Sequence, residues 1–292
     1  MIRTAVIMAR GLGTRMRRAD TAATLDAKQA AVADTGAKGM IPIGRPFLEY
    51  LLSALADAGI TRVVLVVAPG ADPIRHHFTT VAPPHRVQVE FAEQPEPIGT
   101  ADAVVRAAAV VGHEPFLVLN ADNYYPVAAY AALAAETSAG VAAFDRDALV
   151  REGNIDAERV RAYAVLDIAT DVQSAGLSDV RPDARSAPAK TSLTARLRGI
   201  VEKPGESLDL NSPAARWVGM NLWAVTPAIV DACRRVPRSR RGEFELPEAV
   251  GLALSEGVEV RVVCMTAPVL DLSQRSDIAT VARHLHDVVP RP

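Results

Sequence analysis

Short apolar runs alternating with amphipathic stretches predict an α/β protein. The clearest run is Ala5 to Ala9, β-branched and apolar, which turns abruptly into Gly11-Leu-Gly13-Thr-Arg15 and so reads as a buried strand delivering a flexible loop. Arg62 to Ala68, Val87 to Ala92 and Phe116 to Leu119 repeat that strand character. Helical patterns over Pro46 to Gly59, residues 72–80 and Ala101 to Val111 separate them. With 292 residues, 49% of them hydrophobic, the chain is long enough to bury a substantial core as one large unit or two smaller ones.

Composition removes several classes of partner. Thirty-two Lys and Arg against 34 Asp and Glu leave no global field to draw nucleic acid or an anionic membrane. The basic run Arg234, Arg235, Arg238, Arg240 and Arg241 lacks interleaved aromatics and reads as a solvated loop. Cys233 and Cys264 sit in apolar surroundings, as reduced core thiols of a cytoplasmic protein do. No run approaches the roughly 18 apolar residues of a membrane span, and the run after Arg3 is too short for a signal-peptide core. The oligomeric state is left open, a homo-oligomer included.

Residues 17–37 are rich in Ala, Asp and Thr and read either as a short surface helix around Leu25 to Ala33 or as a segment that stays mobile until a ligand arrives. From Gly140 the alternation loosens. Val141 to Phe144, Ala162 to Ile168 and Ala195 to Glu202 read as strands parted by polar insertions at 145–161 and 169–194, which look like excursions from the sheet. Val218 to Val225 is a further strand, followed by helices from Pro227 and up to Glu256, a late strand over Val258 to Met265, and a last helix from about Ser276.

Three loops have a composition suited to chemistry. Glycines 11 and 13 let backbone N–H groups approach a polyanion, a following helix N-terminus would add partial positive charge, and Arg15 adds a full one. A tight strand-to-helix turn gives the same spelling, and neither the dinucleotide fingerprint nor a Walker A loop is completed. Gln94-Pro-Glu-Pro-Ile-Gly99-Thr100 is a second loop entering a helix, with backbone groups at its Gly-Thr junction for a ligand edge. Asn120-Ala-Asp122-Asn123 ends a strand, where open sheets bind ligands; Asp122 there reads as a metal ligand or as a helix cap before Pro126.

In this order the motifs resemble the nucleoside-diphosphate-sugar pyrophosphorylases, the sugar-1-phosphate nucleotidylyltransferases, over nearly the whole chain. Six carry the likeness: Gly11-Leu-Gly-Thr-Arg15-Met16, Lys38-Gly-Met-Ile-Pro42, Gln94-Pro-x-Pro-x-Gly99, Asp122-Asn123, Glu202-Lys-Pro204 and Gly219-Met-Asn221. The resemblance implies a three-layer Rossmann-like nucleotidyltransferase fold with a mixed central sheet and an inserted sugar-binding portion. It implies one domain: a nucleotide-binding portion over about 1–140, a sugar-binding portion over about 141–270 and a C-terminal helix over about 275–289.

The resemblance also implies a reaction, in which a sugar 1-phosphate, or a cyclitol phosphate like one, attacks an NTP and pyrophosphate leaves. Arg15, Lys38 and Lys203 are then the catalytic cations, on the triphosphate, the reacting phosphates and the sugar phosphate. Ala9, Gly11, Gly13, Thr14, Gln94, Gly99 and Thr100 would hold the nucleotide. Asn123, Ala164, Glu202 and Asn221 would meet the sugar, although Asn221 also reads as a group satisfying a sheet end and Gln94 as a turn residue. Asp122 and the closing Asp271 would hold Mg2+, a hard ion that takes oxygen ligands.

Four features depart from the family pattern: Arg10 before the loop glycine, Gly39 after the lysine, a longer gap between Arg15 and Lys38, and Tyr163-Ala164 where Tyr-Gly is usual. The substrate does not follow from the motifs. The Gln-Pro-x-Pro-x-Gly spacing and the Asp-Asn pair look most like uridylyl- and thymidylyltransferases, and Gly-Thr-Ala-Asp more like adenylyl- or guanylyltransferases. Two competing readings are a glycosyltransferase of similar fold, which leaves Arg15, Lys38 and Glu202-Lys203 unexplained, and a nucleotide-sugar-binding regulatory homologue without turnover.

Overall fold

The computed structural model describes residues 1–20, 23–70, 72–169, 190–207, 209 and 212–292. Its first half follows the expected alternation: β1 (Thr4–Met8), α1 (Thr14–Arg17), α2 (Ala27–Thr35), a hairpin of β2 (Pro42–Ile43) and β3 (Arg45–Pro46), then α3 (Phe47–Asp57). β4 (Arg62–Val67), α4 (Pro73–His76), β5 (Gln88–Glu93), α5 (Thr100–Val111), β6 (Phe116–Asn120), β7 (Asn123–Tyr124) and α6 (Val127–Ala135) complete it. The second half runs β8 (Ala139–Asp145), α7 (Arg146–Glu152), β9 (Ala164–Ile168), β10 (Lys190–Val201), β11 (Trp217–Val225), α8 (Pro227–Arg235), α9 (Leu246–Ser255), β12 (Val260–Thr266), β13 (Leu270–Asp271) and α10 (Asp277–His284).

Nine strands share one sheet in the order β5-β4-β1-β6-β11-β8-β12-β10-β9. The β5-β4-β1-β6 half is parallel, as helical crossovers require, and β11 enters antiparallel beside β6, so the sheet is mixed. Alternate residues divide the core into two layers. Val6, Val64 and Val118 pack on one face with α5, α8 and α9, whereas Ile7, Leu65 and Leu119 pack on the other with α3 and α6. Three layers result.

β11 changes partner along its length. Val218 and Gly219 pair with β9, while Trp223 to Val225 pair with β6, and its register with β8 shifts between Gly219 and Trp223. Pairings β11–β8–β12–β10–β9–β11 thus close a circuit in the second half of the sheet. Asn221 sits inside the irregularity at φ 58, in the left-handed region that side chains other than Asn and Asp seldom adopt.

The structure adds detail to these expectations and shortens one of them. The excursion at 145–161 has structure of its own: Asp145 accepts from the backbone N–H groups of Asp147 and Ala148 and starts α7, and a 3-10 turn follows over Glu158–Ala162. The second insertion, 169–194, lies outside the described residues from 170 to 189. The last helix is shorter than 275–289, because after His284 the chain turns toward Pro290 and ties down elsewhere, with Arg291 N–H donating to Ser53 Oγ. The short helix near residue 25 forms as α2, where Asp26 and Gln29 make a reciprocal capping box. Cys233 and Cys264 are free and buried, and burial pushes both thiols up to about 12. Among the described residues no helix is long and apolar enough to cross a membrane.

Candidate active site

The carboxyl ends of β1 and β6 open into a cavity of about 390 Å3. Ten of the sequence-predicted residues line it: Ala9, Gly11, Gly13 and Thr14 of the first loop, Arg15, Lys38, Gln94, Gly99, Thr100 and Asp122. They converge because β1, β6 and the Gln94 loop beyond β5 all finish at one edge of the parallel half, which is where such sheets gather ligand-binding loops.

The glycine loop is built by close approach. Gly13 takes φ +61, and a Cβ on it would stand 2.2 Å from the carbonyl oxygen of Gly36. Gly11, by contrast, has no atom near its Cβ direction and leaves its backbone open to the cavity. The following helix is weaker than expected. α1 is a single turn of four residues, so its dipole adds little, and the positive charge at this end comes from side chains. Arg275, beyond β13, holds that turn by donating Nε–H to the Met16 carbonyl at 2.9 Å.

The Arg15 side chain makes no hydrogen bond or ion pair with another described residue, while its backbone carbonyl accepts from Arg18 N–H at 3.2 Å. Lys38 Nζ donates to Asp122 Oδ2 at 2.7 Å, with side chains 17% and 19% exposed, so both groups face the cavity while offsetting each other.

The second loop works differently from the reading of free backbone groups at Gly99-Thr100. A Cβ at Gly99 would lie 2.2 Å from the Phe244 carbonyl oxygen, because this loop packs backbone to backbone on residues 243–246. Ala101 N–H donates to Phe244, and Thr100 Oγ1 accepts from Leu246 N–H at 2.8 Å. Gln94 is the group this arrangement orients. Its amide nitrogen donates to the Gly99 carbonyl at 3.0 Å and to Asp102 Oδ2 at 2.9 Å, which leaves the amide oxygen as an acceptor.

Six predicted residues lie outside the cavity lining. Asn123, on β7, and Asp271, on β13, face each other across a two-residue ladder, and Asn123 Nδ2 donates to Asp271 Oδ1 at 3.0 Å. Asp271 is buried, and burial followed by the nearby Asp122 charge raises its carboxyl above the ordinary value. Ala164 opens β9 opposite Gly219, and Asn221 Oδ1 lies 3.4 Å from Trp223 Nε1 at the fork of β11. Glu202 and Lys203 follow β10, with Nζ 3.4 Å from Oε1. Burial raises the Glu202 carboxyl despite the adjacent Lys203. Lys203, at φ 45, and Asn221 are the only non-glycine residues with positive φ among those described, the kind of backbone strain that gathers at functional sites.

Several groups here were not among the expected site residues. Arg10 donates to the Gln94 carbonyl at 3.1 Å and so ties the two cavity loops together. Glu243 reaches the cavity from the second half. Arg159, Tyr163 and Asn154 surround Asp271 from a segment with no motif beyond Tyr163. The basic run is largely neutralised: Arg234 pairs with Asp231, Arg235 with Glu256 and Arg241 with Glu245, while Arg238 lies over the Phe244 ring.

A model of the nucleotidyl transferase family matches residues 4–147. The glucose-1-phosphate thymidylyltransferase of Streptomyces antibioticus is 26% identical over 289 residues, covering 98% of this chain and 67% of that protein. The UTP–glucose-1-phosphate uridylyltransferase AglF of Haloferax volcanii is 26% identical over 274 residues, covering 94% and 92%. Among solved structures, a UTP-bound UGPase from Acinetobacter baumannii superposes with a TM-score of 0.70 at 19% identity, over 99% of this chain and 96% of that one. That likeness shows a shared fold across both halves.

Proposed function

We propose that this chain, whose residues 4–147 match the nucleotidyl transferase family, condenses an NTP with a sugar 1-phosphate, or a similar cyclitol phosphate, to give an NDP-sugar and pyrophosphate. The observation that carries this reading is the gathering of Arg15, Lys38 and Asp122 beside the glycine loop in one cavity. A phosphate monoester is largely dianionic near neutral pH, its second pKa being about 6, so the nucleophile needs no general base. Its oxygen attacks the α-phosphorus, a P–O bond forms, the α–β bridging bond breaks and pyrophosphate departs. The barrier lies in bringing two polyanions together, and cations in fixed positions lower it.

Arg15 takes the triphosphate and leaving pyrophosphate, and Lys38 the reacting phosphates. Lys203 takes the sugar phosphate, with Asn123, Ala164, Glu202 and Asn221 toward the sugar. The nucleotide portion is residues 1–140 and the sugar portion 141–270. Gln94, offering an acceptor, favours a base with a ring N–H, that is uracil, thymine or guanine.

Asp122 fits a hard cation such as Mg2+: it faces the cavity, and its Oδ1 has no partner among the described residues. When bound, the ion would neutralise phosphate charge. Asp271 does not fit as a second ligand, since its oxygens are already taken up by protein donors.

Purified protein incubated with each NTP and a panel of sugar 1-phosphates, with and without Mg2+, is expected to release pyrophosphate with one pair above all others. Absence of release with every pair overturns the reading.

A further inference from the structure

The carboxylate of Asp271 is enclosed to an extent that a metal ligand would not need. An ionised carboxylate offers about four acceptor positions. On Oδ1, Asn123 Nδ2 donates at 3.0 Å and Ser273 Oγ at 2.8 Å; on Oδ2, Tyr163 donates its hydroxyl at 2.7 Å and Arg159 donates Nη2–H. All four are filled.

Asp271 and Arg159 are each held by further hydrogen bonds. Asn154 holds the backbone of Asp271 from both sides, accepting from its N–H at 2.8 Å and donating to its carbonyl at 2.7 Å. Arg159 is itself fixed, because its guanidinium also donates to both oxygens of Asp277, at 2.7 and 3.2 Å, and to the Asn154 carbonyl. Asp277 in turn accepts from the backbone of Ser273 and Gln274. A divalent ion placed on Asp271 would have to displace at least one donor and would sit beside a guanidinium of like charge.

We propose that Arg159 is the resident counter-cation of Asp271, so that this chain holds its divalent ion on Asp122 and the substrate phosphates, with Asp271 acting as a positioning residue for Asn123. The Asp271–Asn123 bond supports the last part, since Asn123 follows Asp122 directly and Leu272 N–H donates to the Asp122 carbonyl at 2.8 Å. The proposal rests on the metal-assisted nucleotidylyl-transfer reading for the identity of the ion.

The test uses Mn2+ as the probe, in crystals of the full chain grown with a non-hydrolysable UTP analogue. The expected result is anomalous density within about 2.2 Å of an Asp122 oxygen, with Arg159 still on Asp271. Density that includes an Asp271 oxygen in the coordination shell, with Arg159 displaced, overturns it. In solution, Asp271→Asn should leave the Mn2+ affinity of the analogue-saturated protein within threefold, whereas Asp122→Asn should lower it tenfold or more. A tenfold loss in Asp271→Asn overturns the proposal. Should that variant fail to fold, the crystals of the unaltered chain decide. Neither measurement depends on turnover, and failure of the functional reading would show separately, as an absence of pyrophosphate release from a protein whose Mn2+ ligands are still defined.

Discussion

Arg15 and Lys38 differ in what their removal should do, although both are cavity cations. The Arg15 side chain has no partner among the described residues, so Arg15→Ala removes charge without orphaning a neighbour. Its expected effect is a fall in kcat of roughly 10² with the melting temperature unchanged, the size seen when one preorganised stabiliser of transition-state charge is lost. A loss of tenfold or less, in steady-state pyrophosphate release, places Arg15 at the periphery. Lys38→Met instead leaves Asp122 without its counter-ion and should lower both turnover and thermal stability. Glu202 belongs to the same scale. Burial raises its carboxyl above the ordinary 4.5, so on acidification it takes up a proton at a higher pH than a free carboxylate would. If ionised Glu202 accepts from a sugar hydroxyl, KM for the sugar phosphate should rise as pH falls through that raised value. Glu202→Gln should flatten the rise. An identical pH profile in the two proteins removes Glu202 from sugar binding.

At the level of elements, loops carry the design and glycines set their spacing. Gly99→Ala puts a methyl group 2.2 Å from the Phe244 carbonyl oxygen, at a φ of +133 that alanine resists, so one loop must shift. The expected cost is about 2–3 kcal/mol, read by denaturant unfolding, together with a raised KM for the NTP because Gly99 helps to orient Gln94. A variant with unchanged stability and KM would mean that the two loops move apart freely. The strand-loop-helix units of the first half were legible in the sequence because periodicity and turn residues act over a few neighbours: Ala5 to Ala9 forms β1 over Thr4–Met8, and Phe116 to Leu119 lies within β6. Long-range packing was not legible. Gly99 reads as a ligand-facing residue, yet the group it makes room for is Phe244, 145 positions away by subtraction of the two numbers. The pairing of Arg159 with Asp271 was hidden likewise, because nothing in Glu158-Arg159-Val160 marks which acid the guanidinium will meet.

For the whole molecule, the governing quantity is charge placed locally in a chain whose formal net charge is only −2. A nearly neutral protein does not steer polyanions from afar, so substrate affinity must come from the cations at the cavity itself. The groups proposed for the nucleotide come together in the structure described: Arg15, Lys38, Gln94 and the glycine loop all line the cavity. The groups assigned to the sugar, Glu202, Lys203, Asn221 and Ala164, lie outside its lining, on β9, β11 and the end of β10. An order of binding follows. An NTP at a hundred times its dissociation constant should stabilise the protein by about 2.7 kcal/mol, which for a chain of this length raises the melting temperature by about 4–5 °C. A sugar 1-phosphate alone, at millimolar concentration, should shift it by less than 1 °C, on the order of a few tenths of a kcal/mol, and should add a further shift once the NTP analogue is bound. Differential scanning fluorimetry with each ligand separately and then together measures all three quantities. Equal shifts from the two ligands taken singly would show that the sugar side is already formed, and that the cavity cations do not set the sequence of binding.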